Sequence, residues 1–165
     1  MKKFLSQSIL LILVIGLALI LFNPAKPGQT PKLPFLPQKP EFVSLQINDK
    51  SIKVEVADTQ AKRSKGLAVR QSLAEDEGML FIFDKVDKHP FWMKGLSFSL
   101  DFVWIKDEKI VDILENIPPP REGQKDSELP IYSAKEPINK VLELNAGTVK
   151  AMDIKIGDSI KQTPL

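Results

Sequence analysis

Apolar and polar positions change rhythm several times along this chain, and each rhythm predicts a different element. Ile9 to Phe22 is a run of fourteen positions, all apolar but for Gly16. Counted from Phe4 the stretch is nineteen positions long, roughly 28 Å of helix at about 1.5 Å per residue, which matches one hydrocarbon core. Alternation of apolar with polar residues then appears twice, in Phe42-Val43-Ser44-Leu45-Gln46-Ile47 and in Ser51-Ile52-Lys53-Val54-Glu55-Val56. With Asn48-Asp49-Lys50 between them, these runs predict a β-hairpin with one buried face. Asp58-Thr59 is a capping signal for a helix through Leu73, interrupted at Gly66. The unbroken apolar run Met79-Leu80-Phe81-Ile82-Phe83 reads as a strand buried on both faces.

Phe91 to Lys94, Leu100 to Ile105 and Ile110 to Leu114 predict three more strands of a meander, with Lys106-Asp107-Glu108-Lys109 as a tight turn. From Ile117 to Pro137 periodicity disappears and five prolines enter. A loop of that length inside a domain is a lid, or an ordered surface segment. Val141-Leu142-Glu143-Leu144 resumes strand character, and Ala146-Gly147 opens a short helical turn. The segment from Ile154 to Ile160 reads as two short strands joined at Gly157-Asp158. The sum is a mostly β fold: a small antiparallel barrel-like domain with one or two short helices, preceded by an N-terminal transmembrane helix. Closure into a barrel is expected because it protects strand edges.

Three segments follow: a signal anchor over 1–22, a proline-rich linker over 23–41 and the β-rich domain over 42–165. Lys2 and Lys3 precede the apolar run, and no small-residue cleavage pattern follows it. The expectation is an uncleaved anchor in the cytoplasmic membrane through residues 4–22, with the C-terminal domain outside the cytoplasm. Pro24, Pro27, Pro31, Pro34, Pro37 and Pro40 recur every three or four residues. Such spacing suits a polyproline II stalk.

Charge sharpens this division. The chain's net +2 arises at its N-terminus, where five of 23 basic residues and one acidic residue lie in the first 41 positions. From Phe42 onward 18 basic residues face 20 acidic ones, so the domain gives no general electrostatic footing for nucleic acid. With no cysteine, disulfides, thiolate metal sites and thiol nucleophiles are excluded. His89 is the only histidine, and no G-x-S-x-G run accompanies it. No catalytic residue, metal site or cofactor is therefore assigned.

Five blocks occur in order: Arg63-x-x-Gly66-Leu67-x-x-Arg70-x-x-Leu73; Gly78-Met79-Leu80-Phe81-x-Phe83; Phe91-Trp92-Met93-Lys94 with Leu100-Asp101; Leu142-Glu143-x-Asn145-Ala146-Gly147; and Gly157-Asp158. Together they resemble the domain-of-unknown-function family number 192, over about Leu45 to Lys161. The resemblance implies a compact β-rich domain, often exported, and brings no activity with it. The family's third block reads roughly FWMKNT-x-x-PLD. Here Gly95, Leu96 and Ser99 stand where it has Asn, Thr and Pro.

Two constellations carry candidate chemistry. On a continuous helix, Arg63 and Arg70 would lie on one side with Gly66 between them. Two planar guanidiniums suit a carboxylate, sulfate or phosphate, with Asp84, Asp101 or Glu143 as competing internal partners. Trp92 and Lys94 share one face of their segment, and the chain returns nearby at Asp101. In one register Lys94 and Asp101 form an ion pair beside Trp92, and in the other they face apart. Arg63, Arg70, Trp92, Lys94 and Asp101 are thus the candidate ligand-binding residues, for a small polar or anionic ligand or an envelope component. Two rivals stand beside this binding or accessory module: an envelope hydrolase working through carboxylates such as Asp101 and Glu143, and a protein–protein interaction module.

Overall fold

The computed structural model of the chain describes residues 40–68 and 70–165. The anchor predicted for 1–22, and the proline-rich linker except its last two residues, lie outside the described residues. Seven strands form one sheet: β1 (Phe42–Ile47), β2 (Lys50–Ala57), β3 (Glu77–Asp87), β4 (Leu100–Lys106), β5 (Lys109–Ile117), β6 (Ile138–Asn145) and β7 (Ile160–Pro164). Two short helices accompany them, α1 (Gln60–Lys65) and α2 (Thr148–Ala151). The strand order is β5-β4-β6-β3-β2-β1-β7.

The two hairpins form where alternation and turn chemistry agree. β1 and β2 pair through Ile47 opposite Lys50, with Asn48 in the left-handed region at φ 56°. β4 and β5 turn at Asp107, φ 57°. Short polar residues tolerate this conformation, which two-residue hairpin loops require at their first position.

The sheet curls into a half-barrel whose edges meet at one end. Lys109 of β5 bridges to Ser159 just before β7, and Ile110 N–H donates to Asp158 O at 2.9 Å. Each strand sends an apolar side chain into one shared inner core: Leu45, Val54, Leu80, Val103, Ile110, Leu142 and Ile160. The outer face of the central strands carries a second core, including Met79, Phe81, Phe102, Trp104 and Val141. Connecting segments cover it through Leu67, Phe91, Met93 and Ala134. The continuous apolar run of β3 follows from this burial on both faces.

Several expected elements differ. The sheet is not wholly antiparallel, because β2 and β3 run parallel. Their connection contains α1 and is long enough to cross over, as parallel pairing demands. α1 stops at Lys65 rather than Leu73, since Gly66 takes φ 50° and ψ −143° and leaves the helical region. Phe91–Lys94 is not a strand. Only Phe91 pairs, in an isolated bridge with Tyr132. Ile154–Ile156 likewise forms no strand, and β7 begins at Ile160.

The proline-containing segment 118–137 is an ordered covering. Phe91 and Tyr132 exchange two backbone hydrogen bonds of 2.8 Å, and buried Asp112 accepts from the Lys135 N–H at 3.1 Å. At Gly78 the sheet packs so closely that an added Cβ would lie 2.9 Å from Glu143 O and 2.8 Å from a Leu144 methyl. This fixes β3 against β6, the pair that supports the site below.

Candidate functional site

On the outer face, α1, the segment that follows it and the segment Pro90–Leu96 enclose a cleft of about 370 Å³. Its floor is β3 and β6. Because side chains alternate along a strand, Leu142 and Leu144 enter the inner core and Glu143 between them points outward. Glu143 is only 4% exposed, pairs across the sheet with Met79 and Phe102, and lines the cleft. Its carboxyl has no hydrogen-bond or ion-pair partner among the described residues. Burial therefore acts unopposed and pushes its pKa up to about 8.

The two walls are stitched together. The Ser97 hydroxyl donates to Arg70 O at 3.2 Å, and a Cβ on Gly95 would lie 3.2 Å from the Ala68 methyl. Leu96 N–H donates to Met93 O at 3.2 Å, closing a turn whose third residue, Gly95, has φ 74°. A type II turn needs glycine or asparagine there. The replacement of the family's Asn by Gly is accounted for by this backbone conformation, which both residues adopt.

Trp92 is 48% exposed and stands at the mouth, with Lys94 Nζ 5.2 Å from its ring centroid. Phe91 and Met93 are buried, so the alternation read from the sequence holds without a strand. Lys94 pairs with Asp126 at 2.5 Å, not with Asp101. Arg63 also lines the cleft, but its Nη1 donates to Asp58 O and Ile82 O, each at 2.7 Å, and its guanidinium lies 5.0 Å from the Phe83 centroid. Arg70 pairs with Glu55 of β2 at 2.5 Å. Since α1 has ended before it, Arg70 does not share a helical face with Arg63.

Asp101 is fully buried and faces away from the cleft. Its Oδ1 accepts from Asn116 N–H at 2.8 Å and its Oδ2 from Val149 N–H at 3.0 Å, tying β4 to the end of β5 and to α2. Asp101 sits opposite Leu144, and Glu143 opposite Phe102. The two carboxyls therefore project from opposite faces of the sheet and do not form an acid–base pair. His89 stacks on Phe83 at 3.7 Å and bonds Lys85 O through Nε2. Among the described residues, no cluster of three His, Asp or Glu side chains is placed to hold a metal ion.

Of the five candidates, Arg63, Trp92 and Lys94 thus meet at one cleft, while Arg70 and Asp101 do not reach it. Glu143, considered in the sequence only as a guanidinium partner or as one of two hydrolase carboxylates, occupies its floor. The available signal was a charged residue at the centre of an apolar strand.

Comparison with known proteins agrees with this architecture. The model of family DUF192, described as Uncharacterized ACR, matches residues 43–162. The chain belongs to this family. A protein from Sinorhizobium meliloti 1021, provisionally described as a transcription regulator in its crystal structure, is 34% identical with TM-score 0.65. That similarity covers 77% of this chain and 96% of that one. A protein of unknown function from Novosphingobium aromaticivorans DSM 12444 is 26% identical with TM-score 0.63, over 84% of this chain and 96% of that one. No curated protein matches. Within DUF192, the blocks that define the family in this chain have separable tasks. Gly66 and Gly95 shape the cleft walls and Gly78 allows close strand packing. Asn145 Nδ2 holds Leu73 O and Ala74 O at 3.0 and 2.9 Å, and Glu143 faces the cavity.

Proposed function

We propose that this DUF192 domain is a binding or accessory module, displayed outside the cytoplasm on a membrane anchor, that takes a small polar or anionic ligand or envelope component in the outer-face cleft. The observation that carries this reading is Glu143. A carboxyl that is buried and unpartnered costs stability relative to an apolar residue in the same place. Positions that retain such a cost in an open cavity are characteristic of sites that receive a ligand. Trp92 adds an exposed aromatic platform at the mouth. Arg63 and Lys94 contribute cationic edges already oriented by protein partners.

Display outside the cytoplasm rests on the apolar run Ile9–Phe22 behind Lys2 and Lys3. Protease added to intact, outer-layer-stripped cells should digest the β domain of a tagged full-length chain and leave the N-terminal fragment with the membrane. A domain protected until the cells are lysed would refute the placement. For binding, the full-length protein in mild detergent is screened by thermal shift against sugars, short peptides and anions, with Trp92→Ala and Ala68→Phe to alter the mouth and obstruct the wall. Ligands should raise Tm in the native protein and lose that effect in both variants. A screen in which no compound stabilises the protein, or in which stabilisation survives both variants, removes the cleft from consideration.

A further inference from the structure

The charge pattern of the cleft goes further than its shape and, resting on the binding reading above, specifies a ligand class. Among the described residues, Glu143 is the only acidic one lining the cavity, while Arg63, Lys65 and Lys94 are the cationic ones. Phe81, Phe83, Phe91 and Trp92 supply flat apolar walls. A volume of about 370 Å³ accommodates roughly a dozen non-hydrogen atoms if each takes about the 30 Å³ of a liquid water.

A carboxyl that is desolvated and without a countercharge stays protonated, because the ionised form loses its hydration and receives nothing in return. Its hydroxyl is then a hydrogen-bond donor lacking an acceptor in the protein. An incoming anion supplies that acceptor, and an O–H···O⁻ bond is among the stronger hydrogen bonds available. A ligand ammonium would also suit an ionised Glu143, but it would have to enter past three cationic side chains. The lining therefore distinguishes between them in favour of the anion.

We propose that the cleft is a receptor for small monocarboxylates with a flat apolar body, whose carboxylate accepts the Glu143 hydroxyl while Arg63, Lys65 and Lys94 supply compensating charge. Binding then requires the proton on Glu143. The strands flanking Glu143 present Met79 and Phe102 to it. The remaining charged groups are Arg63 and Lys65 of α1, Lys94 with its partner Asp126, and His89 against Phe83. Glu143 itself is thus the group whose ionisation is expected to control affinity.

The test is calorimetric titration of the full-length protein in mild detergent with benzoate and phenylacetate, and with benzylamine as the cationic counterpart, between pH 6 and 9.5. Both carboxylates should bind with steady affinity up to about pH 7.5 and weaken at least about tenfold by pH 9.5, as the proton on Glu143 is lost. Glu143→Gln keeps a donor at the same place, so it should bind with little dependence on pH. Glu143→Leu should lose binding while unfolding cooperatively, and His89→Gln should reproduce the native pH profile. The proposal is overturned if neither carboxylate binds, if their affinity does not vary with pH, if Glu143→Gln retains the pH dependence, or if benzylamine binds more tightly as pH rises. A failure of this kind together with thermal stabilisation by other compounds would remove the ligand class and leave the cleft as a binding site.

Discussion

Asp101 and Glu143 are buried acidic residues on neighbouring strands, and the sheet separates them into two chemical situations. Asp101, on one face, has each carboxylate oxygen filled by a backbone N–H, from Asn116 and from Val149. Glu143, on the other, has an aromatic cavity before it and no partner among the described residues. Burial alone therefore says little about what a carboxyl does. The hydrogen-bond inventory separates a structural clamp from a group available to another molecule.

One large effect, the same at every pH, breaks this comparison at the clamp. Asp101→Ala leaves two backbone donors without their acceptor and should destabilise the protein by about 3 kcal/mol, read as a fall in thermal or chemical unfolding midpoint. A loss below about 0.5 kcal/mol would mean that Asp101 is no clamp. Next comes Glu143→Gln, whose effect should depend on pH. The native state holds the Glu143 proton up to about pH 8, whereas the unfolded chain releases it near the ordinary glutamate value of about 4.3. Between these values the native state binds more protons, so its stability falls as pH rises and levels off above 8. Glu143→Gln removes that loss. The variant should match the native protein near pH 4 and exceed it by roughly 5 kcal/mol at pH 9, from a gap of about 3.7 pH units at about 1.36 kcal/mol each. Equal stability at both pH values would show that the carboxyl has a partner after all.

Arg70→Ala removes a partly buried ion pair with Glu55 and should cost about 1 kcal/mol. Because the pair braces the wall from outside, carboxylate affinity should change by less than about threefold, and a complete loss of binding would place Arg70 in the site itself. The smallest effect is expected at Gly95. Gly95→Asn restores the family's residue at a left-handed position and should change stability by less than about 0.5 kcal/mol, whereas Gly95→Val should cost at least about 1 kcal/mol. Equal costs for Asn and Val would show that side-chain space beside Ala68, rather than backbone conformation, governs the position.

Much of the fold was legible because its signals are local. Alternation in Phe42–Ile47 and Ser51–Val56 marked the first hairpin, and the unbroken run at Met79–Phe83 marked a strand covered on both sides. The helix after Thr59 was legible at its start, where the Thr59 hydroxyl caps Lys62 N–H. Its end was misread because a positive φ at Gly66 is a decision of the packed chain, made where Gly66 abuts the Phe81 ring. Phe91–Met93 has the composition of a strand yet has only one bridge. Its apolar residues Phe91 and Met93 pack on the outer core instead.

What the residues determined unaided is the periodicity of each segment, the family, the absence of thiol chemistry and the near-neutral charge of the domain, since these depend on composition and order alone. Tertiary structure decided the parallel pairing of β2 with β3, the meeting of β5 with β7 and the assignment of each charged side chain to a partner. Those outcomes depend on register and on which face of a strand is turned outward, and a shift of one residue would have exchanged the surroundings of Asp101 and Glu143. One acid became a joint in the scaffold and the other a vacant donor because the strands aligned as they did.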